Sequence, residues 1–139
     1  MQKNALADQK INNDVYSSSI IGIENIFSNY LIFKLNRPKN FDFNSGQYIP
    51  FLMYDNDGEF QFNYSIASSS TNRDSIELCI QSNGNGRGIK FWKNLQIGDN
   101  VLYKEAKGDF KIIDPNCLNV FIAGGSGISP IRSLLFEIF

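Results

Sequence analysis

A chain of 139 residues has room for one domain and a fragment of a second, and its 42% apolar and 14% aromatic content can furnish a core. A formal charge of −1, with lysines and arginines scattered rather than massed, excludes the electrostatic footprint of a nucleic-acid binder. Histidine is absent, which removes the Ser-His-Asp triad, the Cys-His dyad and histidine-ligated metals, and the two cysteines, Cys79 and Cys117, are too few for a four-thiolate iron–sulfur cluster.

In chain order, residues 1–12 read as a frayed polar tail without the apolar stretch of a signal peptide. No run approaches the roughly 20 apolar residues that span a bilayer. Two cysteines without a secretory leader lead us to expect reduced thiols and a cytoplasmic location. Residues 15–23 and 30–35 are β-branched and aromatic runs that predict strands, and Asn44-Ser45-Gly46 predicts a turn. The strand at 47–54 contains Pro50, which favours an edge position or a bulge. Asp55-Asn56-Asp57-Gly58 is a hairpin turn, with residues 60–67 returning. Ile76, Leu78 and Ile80 alternate within a strand at 75–81. Glycines then crowd residues 84–88, a short helix is expected over 89–95, and residues 101–103 close the strand series. Short antiparallel strands in this rhythm suit a Greek-key barrel.

After Asp114-Pro115-Asn116, residues 119–123 form an apolar run suited to a buried parallel strand. Ala123-Gly124-Gly125-Ser126-Gly127-Ile128-Ser129-Pro130 follows, with Ser129 expected as N-cap and Pro130 as the first helical residue. Ile131, Leu134, Leu135 and Ile138 then give a helix one apolar face. Glycines here let a backbone approach a phosphate or a flat ring, and the helix start favours an anion. The plainer reading is a tight strand-to-helix turn, and the residue types alone leave both open.

Six segments in register are similar to the ferredoxin-NADP reductase superfamily. Gly46-Gln47-Tyr48 resembles its GQY strand start, and Tyr64-Ser65-Ile66-Ala67-Ser68 the YSIAS core of its flavin motif. Residues 76–80 resemble the following flavin-side strand, residues 95–101 its LKxGDxV segment, Gly108-Asp109-Phe110 its GxF turn and residues 123–130 its AGGTGIxP nucleotide loop. The resemblance implies a mainly β fold: a six-stranded antiparallel Greek-key barrel that binds FAD or FMN, followed by the first β-α unit of a Rossmann-like domain that binds NADH or NADPH. It implies boundaries at 13–115 for the flavin domain and 116–139 for the opening of the nucleotide domain. Tyr64 would lie against the isoalloxazine ring, Ser65 would bond the nitrogen that accepts hydride, and the backbone of Ile66 would meet the ring edge. Gly124, Gly125 and Gly127 would receive the nicotinamide ribose and pyrophosphate. Hydride transfer needs no protein acid or base, because the cofactor carries the chemistry.

Two positions depart from the family pattern. Phe62 stands where the family has an arginine for the flavin phosphate, and Ile89 where it has a serine or threonine. Gly88 and Ile89 retain backbone amides at a helix start, and Arg87 is a candidate replacement charge, or else a solvated arginine. Three outcomes are therefore open: loose flavin binding, little discrimination between FMN and FAD, or a degenerate site. A full nucleotide domain needs roughly another hundred residues, so the chain reads as a fragment of a longer protein or a truncated gene product. The expected function is a flavin-dependent oxidoreductase module that passes hydride from NAD(P)H to flavin and electrons on to a partner protein or free flavin. The alternative is a non-catalytic barrel for docking or assembly, with a degenerate flavin site.

Overall fold

Ile76, Leu78 and Ile80 alternate with Glu77, Cys79 and Gln81, and that period of two fixes a strand with one buried face. In the computed structural model, which describes residues 8–11 and 14–139, this strand is Ser75–Gln81 and its three aliphatic side chains are buried. Seven strands form among the described residues: β1 (Gln9–Lys10), β2 (Tyr16–Ile26), β3 (Tyr30–Asn36), β4 (Tyr48–Asp55), β5 (Gly58–Ser65), β6 (Ser75–Gln81) and β7 (Asn100–Tyr103). Helix α1 (Arg87–Lys93) lies between β6 and β7, and α2 (Ile128–Ile138) follows β7. Every strand pair is antiparallel, in the spatial order β5-β4-β7-β2-β3-β6, with β1 beside β2.

The sheet curls because β2 changes partner along its length. Tyr16 to Ser19 pair with β7, whereas Ile20 and residues 22–26 pair with β3, and the register shifts between Ile20 and Gly22. A bulge of this kind bends the strand and raises its twist. Pro50 sits in β4, which has a neighbour on each side, at a second irregularity. Phe51 pairs with Tyr103, but three residues back Tyr48 meets Lys107, so the β7 side carries one extra residue. Lys104 N–H donates to the Pro50 carbonyl at 2.9 Å, and the reciprocal donor is the one proline lacks. The two end strands do not close through a continuous ladder. They meet at one bridge, Ile66 with Leu78, beside the bond from Ala67 N–H to Glu77 O at 2.8 Å. The expected barrel is thus a curled sheet with a seam.

The core gathers the inward faces of these strands around Trp92 of α1, which is fully buried. Its ring lies 4.8 Å from Phe33, 5.2 Å from Phe51 and 5.5 Å from Tyr64, centroid to centroid. Burying a side chain of this class stabilises by roughly 1.5–3 kcal/mol, and here it also fixes α1 against β3, β4 and β5.

Three expectations change. Residues 8–11 pair rather than fray: Gln9 and Lys10 join β2, and Ser19 N–H donates to the Asp8 carboxylate at 2.5 Å. The rest of the expected tail, residues 1–7 and 12, lies outside the described residues. Residues 119–123 form no strand, and Val120 and Ile122 are strongly exposed. A parallel strand needs a neighbour for its backbone groups, and no strand pairs with this run among the described residues. Helix α2 begins two residues before the expected first turn. Gly127 is its N-cap, which places Ser129 and Pro130 inside the first turn, because Gly125–Gly127 already coil as a 3-10 turn.

Candidate functional site

Tyr64 and Ser65 end β5, opposite Ile49 and Tyr48 of β4. The hairpin turn at residues 55–58 sets that register, and Gly58 has φ +110°. Both side chains are half-buried, neither sealed in the core nor free in solvent. The Tyr64 ring stands edge-on to Phe51 at 6.0 Å and to Trp92 at 5.5 Å. Its hydroxyl reaches the start of α1, where a Cβ on Gly88 would come within 2.6 Å of it. Burial pushes the Tyr64 phenol above its ordinary value and keeps it neutral. Ile66 is fully buried, and its N–H already donates to Gln47 O at 3.0 Å. Its amide N–H is thereby engaged within the fold.

The resembling segments converge around this strand end. Gly46 has φ +91°, and a Cβ there would come within 1.9 Å of Phe110 O, so glycine is required where the two turns cross. Gln47 Nε2 donates to Gly108 O at 3.0 Å and Tyr48 N–H to Lys107 O at 2.9 Å.

The expected phosphate side is built differently from its sequence reading. Phe62 is exposed and packs toward Gly88, and its ring meets Phe60 edge-on at 5.8 Å. Arg87, the candidate replacement charge, is ion-paired. It forms two parallel hydrogen bonds with the Asp55 carboxylate, at 2.6 and 2.7 Å, and lies 4.0 Å over the Phe60 ring. The guanidinium holds the Asp55 carboxyl below the usual carboxylate range. Ile89 is half-buried and turns its Cδ1 toward Gly84. Gly86 caps α1 without a side-chain hydrogen bond to the first-turn amides, and no acidic residue lies in that turn.

The glycine turn lies at a second location. Gly124, Gly125 and Gly127 are exposed, and Gly125, with φ +57°, presses against the Tyr30 hydroxyl. A cavity of about 450 Å³ separates this turn from the outer face of β3 and β6, lined in part by Tyr30, Ala67, Cys79, Gly125, Ser129 and Arg132. Burial pushes the Cys79 thiol up. The Tyr64–Ser65 pair and the glycine turn are thus joined through Ala67, two residues beyond Ser65, which lines the cavity. Sequence reasoning missed Asp55, Cys79, Arg132 and Ser133. None belongs to a resembling motif by its own side-chain chemistry, and each is brought in by tertiary contact.

A flat ring fits these residues on one count: Tyr64 is held edge-on by its neighbours while remaining half-exposed. Gly88 is buried and lets the Tyr64 hydroxyl and the Phe62 ring pack closely against the start of α1.

Residues 18–112 match the family model described as an oxidoreductase FAD-binding domain. The phenol 2-monooxygenase reductase component DmpP of a Pseudomonas species is 33% identical over 107 residues, covering 76% of this chain and 29% of that protein. The sulfhydrogenase 2 gamma subunit of Pyrococcus furiosus is 32% identical over 129 residues, covering 87% of this chain and 42% of the relative. The chain therefore spans less than half the length of either. Among solved structures, ferredoxin-NADP+ reductase from Plasmodium falciparum with 2'P-AMP superposes with a TM-score of 0.76 at 27% identity, over 88% of this chain and 52% of that one. No helix among the described residues is long and apolar enough to cross a membrane.

Proposed function

Because the chain belongs to the oxidoreductase FAD-binding domain family, we propose that it is the flavin-holding part of an NAD(P)H-dependent oxidoreductase that hands electrons to an acceptor protein or to free flavin. The observation that carries this reading is the half-exposed Tyr64, seated over Gly88 and followed by Ser65. Bound FAD would supply the two-electron chemistry, accepting hydride from the nicotinamide and releasing electrons onward. The chain's own residues would do the rest. Tyr64 would pack along one face of the ring and exclude water, worth about 1 kcal/mol beyond the area it buries. Ser65, half-buried at the end of β5, would orient the ring through its hydroxyl. Gly124, Gly125 and Gly127, all exposed, would let the nicotinamide nucleotide approach the backbone. Residues 13–115 form the flavin domain in this reading and residues 116–139 the opening of the nucleotide domain. A cytoplasmic location rests on the two free thiols, Cys79 and Cys117.

A second reading, a non-catalytic barrel used for docking, is favoured by one feature: Arg87, the candidate cation for the flavin phosphate, is engaged by Asp55. Visible absorption of the freshly purified protein, repeated after adding FAD or FMN, separates the two. A bound-flavin spectrum supports the first; no binding at high flavin concentration supports the second.

A further inference from the structure

Three side chains of α2 converge on one stretch of chain just beyond the Tyr64–Ser65 pair. Arg132 Nη1 donates to the Ala67 carbonyl and to Glu77 Oε2, each at 2.7 Å. Ser133 Oγ, fully buried, donates to Ser68 O at 2.6 Å, and Glu137 Oε1 accepts from Ser70 Oγ at 3.0 Å. The same stretch is tied to β6, because Ala67 N–H donates to Glu77 O at 2.8 Å and Glu77 N–H to Ser68 Oγ at 3.0 Å. Arg132 is the residue of α2 that touches both sides of this knot, and it lines the cavity together with Gly125 and Ala67.

The Arg132–Glu77 pair is part-exposed, with side-chain exposures of 41% and 21%, so it stabilises the fold little. What a planar guanidinium supplies at such a place is direction, since one donor group meets a carbonyl and a carboxylate in a fixed plane. Helix α2 starts at Ile128, directly after the Gly125–Gly127 turn. Arg132 lies one helical turn into it, so fixing Arg132 fixes the glycine turn relative to β5 and β6.

We propose that Arg132 is a positioning residue: by bridging Ala67 and Glu77 it holds the Gly124–Gly127 turn in register with the Tyr64–Ser65 strand end, so that a nucleotide on the turn meets a ring on the strand. This rests on the flavin–nicotinamide reading given above. Misplacing a bound group by an ångström costs large factors, and here the misplaced group is the nucleotide, whose contact with the ring weakens while the contacts of the flavin itself stay in place.

The test loads the purified chain with FAD, then titrates it with NAD+ and NADP+, reading the visible spectrum of the flavin and the thermal midpoint. It compares the natural chain with Arg132→Ala and with the charge exchange Arg132→Glu plus Glu77→Arg. In Arg132→Ala the FAD affinity stays within about twofold, while the nucleotide concentration for a half-maximal spectral change rises about tenfold or more. The exchange recovers part of that loss. An unchanged nucleotide response in Arg132→Ala overturns the proposal. So does a parallel fall of both affinities with the thermal midpoint, or an exchange no better than the single variant. If the natural chain holds FAD but shows no nucleotide response, the positioning role fails and the flavin reading stands. If it holds no flavin, both fail.

Discussion

The hydroxyl of Tyr64 lies so close to Gly88 that a single added methyl on the glycine would approach it to 2.6 Å. The helix that carries the glycine is anchored by Trp92 against Phe51 of β4 and Phe33 of β3, and the strand that carries the tyrosine is paired along its length with β4. The contact is therefore imposed by the fold, and it gives the first prediction. Alanine at 88 is favoured by helix propensity by about 1 kcal/mol over glycine, yet the displaced Tyr64 should lower flavin affinity about tenfold. Gly88→Ala combined with Tyr64→Phe, which removes the colliding oxygen, should restore most of it. A fluorescence titration with FMN measures both, and undiminished affinity in Gly88→Ala contradicts the contact's role.

Phe62 is 45% exposed, meeting Phe60 edge-on and packing toward Gly88, so replacing it costs little burial. Phe62→Arg should tighten FMN and FAD binding about tenfold, because a charge-assisted hydrogen bond contributes roughly 1.5–3 kcal/mol. Riboflavin, which has no phosphate, should gain nothing. Equal gains for all three ligands in calorimetry would point to ring contacts instead.

This chain alone is expected to turn over little; joined to a full nucleotide domain, Ser65→Ala should leave the flavin bound but slow its reduction by NAD(P)H about tenfold or more in single-turnover mixing. An unchanged rate removes the hydroxyl from the reaction.

Tyr103 is fully buried, its hydroxyl 2.6 Å from Ser18 Oγ, and burial drives its pKa far above the ordinary phenol. The folded state therefore keeps a proton that the unfolded chain releases above about pH 10. The stabilisation is complete below that pH and declines as pH rises beyond it, by up to ~1.4 kcal/mol per pH unit. Tyr103→Phe should push the alkaline unfolding midpoint upward. At neutral pH it should lower stability by about 1–3 kcal/mol, by leaving Ser18 Oγ without a partner, and adding Ser18→Ala should return most of that loss. Denaturant melts across pH 8–12 decide it.

Much of this architecture was legible because it is local. The alternation of Ile76, Leu78 and Ile80 placed β6 residue for residue, and the glycine run before Ile128 announced α2. What sequence hid depends on partners distant in the chain. Residues 119–123 have a strand's composition but, among the described residues, no strand pairs with them. Arg87 read as a replacement cation or a solvated arginine, and nothing local shows that the turn at Asp55, 32 residues earlier, folds against it. Pro50 read as an edge or bulge residue, and the ladder slips by one beside it even though β4 is central.

The claim on which the account depends is that a flat ring rests against Tyr64, and flavin fluorescence titration of the natural chain beside Tyr64→Ala tests it most directly. Contact with an aromatic face is worth about 1 kcal/mol, so the natural chain should quench flavin emission and the alanine variant should bind about fivefold more weakly with the quenching largely lost. Equal affinity and equal quenching in the two proteins would place the ring elsewhere and contradict the assignment.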